Sequence, residues 1–178
     1  DTPESNYCTI DRNNIRNNIG NLAEGALRPR DSGTAWHTGC GTHLMKTGKW
    51  YFEVDIGSDV DDVQAGILAG AEHSADIILT DNQIGLLAFG YAIHCDGGTT
   101  AFYAVNNSSS TADDNLDAPA ANDILQVAFD ADTGEIWFGV NDTWGDFGAT
   151  GVGDPANGTN PAFTVDTSLY DFVPAVAV

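Results

Sequence analysis

The sequence contains no long apolar run and few basic residues. No stretch of about 18 consecutive apolar residues occurs, which excludes a transmembrane helix. Lys and Arg together number 6 against 26 Asp and Glu, so the formal net charge is −20 at pH 7. Proteins bind phosphate backbones largely by neutralising them with Lys and Arg. We therefore expect neither nucleic acid nor an anionic membrane surface as a partner.

Cysteine is also scarce. The three cysteines, Cys8, Cys40 and Cys95, cannot all pair within one chain, and none belongs to a CxxC motif. The sequence therefore contains no disulfide framework, although one bridge stays open and the spacing does not choose its partners. Because the chain begins at Asp1 without an initiator Met, we expect a processed product or a part of a larger polypeptide.

The excess of negative charge is the main feature that the composition does contain. A surface of one charge sign attracts cations, and its self-repulsion is tolerated best where salt screens it or divalent ions bind. Such conditions are typical of saline and extracellular settings, and we predict a localisation of this kind. The alternative is that the acidity serves only to keep the domain soluble.

Good helix formers are few, whereas Gly, Asn, Asp and Thr are abundant, which favours short strands joined by turns. The clearest pattern of period two begins after Lys49, where Trp50, Phe52, Val54 and Ile56 alternate with Tyr, Glu and Asp. Further strands are predicted over residues 63–70, 84–94, 99–105, 124–130, 135–141, 163–165 and 172–178. This set predicts an all-β protein with the architecture of a β-sandwich.

The segments between these strands are predicted to be loops. Residues 106–122 and 145–161 have turn composition without periodicity and indicate long surface loops. Residues 1–35 are predicted to form an irregular segment, with one or two edge strands at most, that packs on the sandwich of residues 36–178. We expect one domain overall, since the chain has 178 residues.

Five segments occur in the order and spacing typical of SPRY domains, and the chain resembles that family over roughly residues 36–178. They are GKWYFEVDI (48–56), AGILAG (65–70), IGLLAFGY with DGG (84–98), DILQVAFDADTGEIWFGVND (123–142) and YDFVPAVAV (170–178). The resemblance implies a bent, concanavalin-like jelly roll of two antiparallel sheets. It further implies a module that binds partners through loops at one end and does not catalyse a reaction.

Two further segments are similar to SPRY modules of tailed-phage structural proteins. They are the NYCT start at residues 6–9 and the loop DPANGTNPAF at residues 154–163. The chain also departs from the SPRY pattern in two places. Asp142 stands where Gly usually follows the Asn of the last hairpin, which predicts a turn longer than two residues. The chain stops at Val178, where relatives continue, which predicts an open sheet edge or a strand supplied from elsewhere.

No catalytic residue is nominated. A glycosidase would need two carboxylates about 5–6 Å apart in a cleft, and Glu53 and Glu135 are the only glutamates on predicted strands. The spacing His37-x-x-Cys40-x-x-His43 is superficially that of a zinc site. In a strand, however, the two histidines would lie about 20 Å apart with the cysteine facing away from both, which excludes zinc there.

Two groups of residues are candidate binding sites. Calcium is one hypothesis, because Asp55, Asp59, Asp61 and Asp62 offer hard oxygen ligands within one short loop. The alternative is an acidic loop that is only solvated and binds no ion. The sequence does not require a cofactor. The second group comprises the candidate ligand-binding residues beside turns, of which the two tryptophans could stack on a sugar ring or anchor a protein. They are Trp36, Asp142 and Trp144.

The favoured function is a non-catalytic interaction module of a virion, in a tail fibre, a knob or a capsid decoration. Its partners would be virion subunits or a host-surface glycan or protein, within an oligomer or a larger assembly. A carbohydrate-binding, lectin-like module is the alternative from a different class. A glycan-cleaving enzyme on the same sandwich is the third hypothesis.

Overall fold

The computed structural model describes residues 7–15, 22, 25–27, 36–58, 60–70, 83–98 and 101–178. Within these ranges the chain forms two antiparallel β-sheets, which confirms the predicted all-β sandwich. Apart from strands, these ranges contain one 3-10 turn, Ile84–Leu86, and no helix that is long and apolar enough to cross a membrane.

The strands are numbered in chain order. The larger sheet contains, in spatial order, β1 (Ile10–Ile15), β2 (Thr38–Gly41), β12 (Phe172–Ala177), β4 (Asp61–Ala69), β5 (Gly90–Asp96), β6 (Ala101–Asn106) and β7 (Ser109–Ala112). The smaller sheet contains β10 (Thr143–Trp144), β9 (Glu135–Val140), β8 (Ile124–Asp130) and β3 (Lys49–Asp55). A short strand, β11 (Phe163–Thr164), pairs with the other end of β9.

The main core lies between the two sheets. Because side chains alternate along a strand, β3, β8 and β9 each turn every second residue inward. One row across these strands is Phe52, Val127 and Phe138, and the larger sheet contributes Ile67 and Phe102 from the other side. The apolar stripe that starts at Trp50 therefore faces a second β layer, as the sequence predicts.

A second, smaller core covers the outer face of the larger sheet. It contains Leu68 of β4 and Val173 of β12, which pack beneath Ile84 of the 3-10 turn. Gln64 is fully buried there, and both ends of its amide are hydrogen-bonded. Its Nε2 donates to Gln83 Oε1 at 2.9 Å, and its Oε1 accepts from Gly85 N at 3.0 Å. The prediction of one strand over 84–94 is thus wrong at its start, since the turn that covers this face occupies its first residues.

The predicted loop at 106–122 also contains a strand. β7 pairs with β6 through a two-residue turn in which Asn107 and Ser108 have φ of 48° and 63°. All four residues of β7 are exposed, so the strand has no apolar face and no period-two signal. The prediction of a structureless loop is correct only after residue 112.

The C-terminal strand does not leave an open edge. β12 lies inside the larger sheet, with Val176 opposite Gly39 of β2 on one side and Ala65 of β4 on the other. Val178 N and O both bond to the backbone of His37. The expectation of an edge at the chain end is therefore wrong, because β12 is hydrogen-bonded to a strand of this chain on each side.

Candidate functional site

The outer face of the smaller sheet carries a group of polar and aromatic side chains. We name it the outer-face cluster, and its members are Tyr51, Glu53, Gln126, Asp142 and Trp144. Glu53 lies opposite Gln126 and Gln126 lies opposite Gly139, so that the three share one face. Trp144 of β10 also pairs with Gly139. The structure thus brings together two of the three predicted ligand-binding residues, Asp142 and Trp144.

The position of Trp144 depends on a glycine. A Cβ at Gly139 would lie 3.0 Å from Trp144 Cε3, so the missing side chain lets the indole lie over β9. The backbone around Trp144 is held on both sides, since Gly145 N donates to Phe138 O at 3.0 Å and Asn115 Nδ2 donates to Trp144 O at 3.0 Å. The backbone that carries the indole is therefore held by hydrogen bonds within this chain.

Asp142 lies in a tight turn and not in the longer turn that its side chain predicted. Asn141 and Asp142 have φ of 48° and 65°, and Val140 pairs directly with Thr143, which defines a two-residue primed turn. The left-handed conformation of Asp142 is compensated by a hydrogen bond from its backbone N to Gln126 Oε1 at 2.7 Å. A glycine is therefore not required at this position.

Gln126 links the cluster from below and is only 3% exposed. Its Nε2 donates to the hydroxyl of Tyr51 at 2.5 Å and to Asp142 Oδ1 at 3.2 Å. Tyr51 in turn donates to Glu53 Oε1 at 2.5 Å. Burial and then the bond to Glu53 raise the pKa of the Tyr51 hydroxyl, although the bond from Gln126 lowers it. The tyrosine therefore remains a neutral donor near neutral pH.

The two aromatic members meet edge to face. The ring centroids of Tyr51 and Trp144 lie 6.4 Å apart, at an interplanar angle of 68°. This geometry is typical of favourable aromatic pairs. Tyr51 is 52% exposed and Trp144 is half-buried, so the pair forms a corner that is open to solvent.

A buried carboxylate that the sequence did not single out supports this corner. Asp113 is 8% exposed and follows β7 directly. Its Oδ1 accepts from the backbone N of Asn115 and Leu116, and its Oδ2 accepts from the backbone N of Asp146 and Phe147. Asp113 therefore ties the segment that follows Trp144 to the end of β7. Its only sequence signal is an Asp within a turn-rich stretch, which is too common to distinguish it.

The loop at 145–161 covers another part of the same face. Trp137 points outward from β9 but is buried, because its Nε1 donates to Thr159 O at 2.8 Å beneath this loop. Asp154 and Thr159 form a backbone bridge that closes the loop on itself. The Gly-rich loop is thus held by its own backbone bridge and by the bond from Trp137, and it covers the outer face of β9 beside the outer-face cluster.

Trp36 lies on the opposite side of the molecule. It packs on the second core, and its ring centroid lies 5.6 Å from that of His94 in an edge-to-face contact. His94 Nε2 lies 3.7 Å from Asp62 Oδ1. The structure therefore does not bring Trp36 and Trp144 into one site.

His94 should make the stability of the domain depend on pH. Burial lowers the pKa of its imidazole from the ordinary value of 6.5, against the smaller opposing effects of Asp96 and Asp62. Because the unfolded chain then binds the proton more readily, this contribution to stability falls as the pH drops below 6.5. We expect the free energy of unfolding, measured in urea between pH 7.5 and 5.5, to fall more steeply in the wild type than in His94→Gln. Parallel pH profiles for the two proteins would contradict this assignment.

The structure places three of the four acidic residues of the calcium hypothesis at the junction of the two sheets. Asp55 ends β3 and accepts a bond from Gly57 N at 2.7 Å, whereas Asp61 and Asp62 begin β4. Asp59 lies outside the described residues. Among the residues that are described, no three His, Cys, Asp or Glu side chains form a group that could hold a metal ion. Calcium binding by the complete loop stays a prediction.

The two strand-borne glutamates do not form a pair. Glu53 of β3 is in register with Gly139 of β9, and β8 lies between these two strands. Glu135 lies four residues before Gly139 on β9. Strand geometry therefore separates the two glutamates by roughly 13 Å along the strand direction and roughly 10 Å across the strands. This removes the carboxylate pair on which the glycan-cleaving hypothesis depended.

A solved structure shares the arrangement of the two sheets. The crystal structure of the SPRY domain of human HERC1 is similar to this chain, with a TM-score of 0.52 and 11% sequence identity, over 96% of this chain and 83% of that one. The fold is SPRY-like. No family model and no curated protein matches the sequence. At this level of identity the similarity concerns the fold alone.

The SPRY-like fold gives a structural reason for the hairpin motif of the sequence. Asp130 Oδ1 accepts from the backbone N of Asp132 and Thr133, which closes the turn between β8 and β9. Gly134 has φ of 78°, and a Cβ there would meet the carbonyl O of Val165. Asn141 Oδ1 accepts from Ile124 N at 2.9 Å. These motif residues stabilise the two ends of the β8–β9 hairpin, and the hairpin contributes Gln126 to the outer-face cluster.

Proposed function

We propose that the chain is a non-catalytic protein-interaction module that binds its partner through the outer-face cluster. One observation carries the proposal: Tyr51 and Trp144 form an exposed aromatic corner, in which buried Gln126 donates to the Tyr51 hydroxyl. Aromatic side chains dominate the energetics of protein interfaces when they are exposed and held rigid beforehand. The distance between Glu53 and Glu135 also supports a binding role over glycan cleavage.

A display selection tests this proposal and needs no purified partner. The immobilised domain should enrich a family of related peptides, and binding of these peptides should fall by about tenfold or more in Trp144→Ala, since truncation of an aromatic anchor typically removes about 1.4 kcal/mol or more. Trp36→Phe on the opposite face is the matched control and should bind as the wild type does. Circular dichroism and thermal melting establish that each variant is folded.

Two results of the selection would contradict the proposal. One is enrichment of peptides that bind Trp144→Ala and the wild type equally, which would place the binding surface elsewhere. The other combines two findings. Trp144→Ala loses its fold together with its binding, whereas the double variant Tyr51→Phe/Glu53→Gln, which changes two exposed residues of the cluster, binds as the wild type does. That combination would assign Trp144 to the structure and not to recognition.

Carbohydrate binding is a second candidate function, and the aromatic corner beside two carboxylates is the observation that favours it. Aromatic rings stack on sugar rings, and carboxylates accept bonds from sugar hydroxyls. A glycan array probed with the wild type and Trp144→Ala separates this function from peptide binding. Glycan binding that disappears in the variant would favour the lectin-like function.

We further propose that the module works in a virion or another extracellular assembly. The support is the similarity of residues 6–9 and 154–163 to phage SPRY modules, together with the net charge of −20. A density map of intact particles that contain this chain would test the setting directly. Finding the chain within a cytosolic multidomain protein would contradict it.

A further inference from the structure

We infer that the outer-face cluster accepts a cationic side chain of the partner, preferentially an arginine. This inference rests on the proposed function and names the chemistry of the ligand. The observation behind it is the juxtaposition of two aromatic rings with two carboxylates, Glu53 and Asp142, over a buried amide. Three features of the described residues argue for a cation.

The first feature is the hydrogen-bonding capacity that the cluster leaves for a ligand. Both donors of the Gln126 amide are used inside the cluster, because its Nε2 makes two bonds, and its Oε1 accepts from Asp142 N. The Tyr51 hydroxyl donates to Glu53 Oε1 and accepts from Gln126. Within the described part of the chain, Glu53 Oε2 and Asp142 Oδ2 have no donor. The cluster therefore offers two carboxylate oxygens as acceptors, and the indole N–H of Trp144 is its one donor without a partner among the described residues.

A ligand that satisfies the two unused carboxylate oxygens must donate hydrogen bonds. Guanidinium and ammonium groups are donors that also carry positive charge, whereas sugar hydroxyls are neutral. Hydrogen bonds between charged partners are the stronger ones, so the two unused carboxylate oxygens favour a cation over a carbohydrate. Guanidinium is the better match of the two cations, because it is planar and can stack on an aromatic ring while it bonds to a carboxylate.

The second feature is the aromatic corner itself. A cation within about 6 Å of a ring centroid is attracted by the electron density of the ring face. The rings of Tyr51 and Trp144 are 6.4 Å apart at 68°, so that a group that lies against one face also approaches the edge or face of the other. Gly139 and Gln126 close the floor of this corner.

The third feature is the charge of the surrounding chain. All six Lys and Arg occur at or before Lys49, so the sequence from Trp50 to Val178 contains neither of these residues. Lys49, two residues before Tyr51, lies 3.8 Å from Asp130 at the far end of β8. The long-range field of a chain with a net charge of −20 attracts basic partners. Charge complementarity therefore supports a cationic occupant.

The test uses short peptides and the indole signals of the four tryptophans in NMR spectra. The peptides are N-acetyl-Gly-Arg-Gly amide, its lysine analogue and its citrulline analogue, which keeps the shape of arginine without its charge. Trp144→Phe assigns the Trp144 signal. At low ionic strength, the arginine peptide should shift this signal with a millimolar Kd. The lysine peptide should bind more weakly, and the citrulline peptide and simple sugars should leave the signal unchanged.

Matched variants separate specific binding from general attraction to an acidic surface. Glu53→Gln/Asp142→Asn keeps every acceptor used inside the cluster and removes two charges, and it should weaken binding of the arginine peptide by about tenfold. Asp132→Asn/Glu135→Gln removes two charges at the other end of the same sheet and should leave binding within about twofold, because salt and distance screen exposed charges.

Three results would overturn the inference. They are equal shifts by the arginine and citrulline peptides, equal loss of binding in both double variants, and a Trp144 shift caused by sugars but not by the arginine peptide. Each of these leaves the display selection unaffected. The proposed interaction module could therefore stand while the cationic ligand fails, and failure of the selection with intact arginine binding would show the reverse.

Discussion

Asp113→Ala is expected to lower the free energy of unfolding by about 3–4 kcal/mol, because it removes the acceptors of four backbone N–H groups in a buried place. Hydrogen bonds to a charged acceptor are stronger than neutral ones, and donors that lose their only partner carry the full cost of desolvation. The loss should also release the segment after Trp144. Urea unfolding followed by tryptophan fluorescence measures the change.

Asp114→Ala is the matched control for this prediction. Asp114 is the next residue and is exposed. Its replacement by Ala removes the same charge and should therefore change the free energy of unfolding by less than about 0.5 kcal/mol. Asp113→Asn should lie between the two, since an amide retains one acceptor oxygen and loses the charge. Equal stability of Asp113→Ala and Asp114→Ala would mean that Asp113 does not hold the segment.

Gly66→Ala should destabilise the domain by about 3 kcal/mol or more, because β4 and β5 approach each other too closely for a side chain. A Cβ at this position would lie 1.9 Å from the carbonyl O of Tyr91 and 2.6 Å from the Cα of Ala92. Both atoms belong to the backbone of the neighbouring strand, so that the strands would have to separate. Thermal and urea unfolding measure the loss, and insoluble protein counts as the extreme of the same result.

Gly98→Ala provides the comparison for Gly66→Ala. Its Cβ would meet only a side-chain oxygen of Asp96, at 3.2 Å, and its φ lies outside the left-handed region. We expect it to change stability by less than about 1 kcal/mol. A folded Gly66→Ala variant within about 1 kcal/mol of the wild type would contradict the register of Gly66 against Ala92.

The elements with one buried face could be predicted from the sequence because burial imposes period two. β3 is in this class. The β8–β9 hairpin is buried on both faces and is recognised instead from two runs of strand-forming residues around a Gly-containing turn. Both elements occur where the sequence places them. β7 could not be predicted, since both its faces are exposed and nothing constrains its residue types. The 3-10 turn at Ile84 contains apolar residues that pack on a sheet. A short apolar run of this kind has the same sequence pattern as a buried strand, so the sequence predicts the start of a strand there.

The site was predicted only in part for a related reason. Asp142 and Trp144 stand beside a turn and could be selected from the sequence alone. Tyr51 and Gln126 lie in regular strands, and only the pairing of β3 with β8 brings them beside that turn. Cross-strand register depends on the whole sheet, so that no local pattern marks these residues as part of a site.

Hydroxyl-radical footprinting of the chain, alone and in its native assembly, tests the central claim most directly. It measures the oxidation rates of tryptophan and tyrosine side chains by mass spectrometry. If the outer-face cluster is the partner-binding surface, Tyr51 and Trp144 should become protected in the assembly, while Trp36 on the opposite face oxidises at the same rate in both samples. Unchanged oxidation of Tyr51 and Trp144, with protection confined to Trp36 or the larger sheet, would contradict the account.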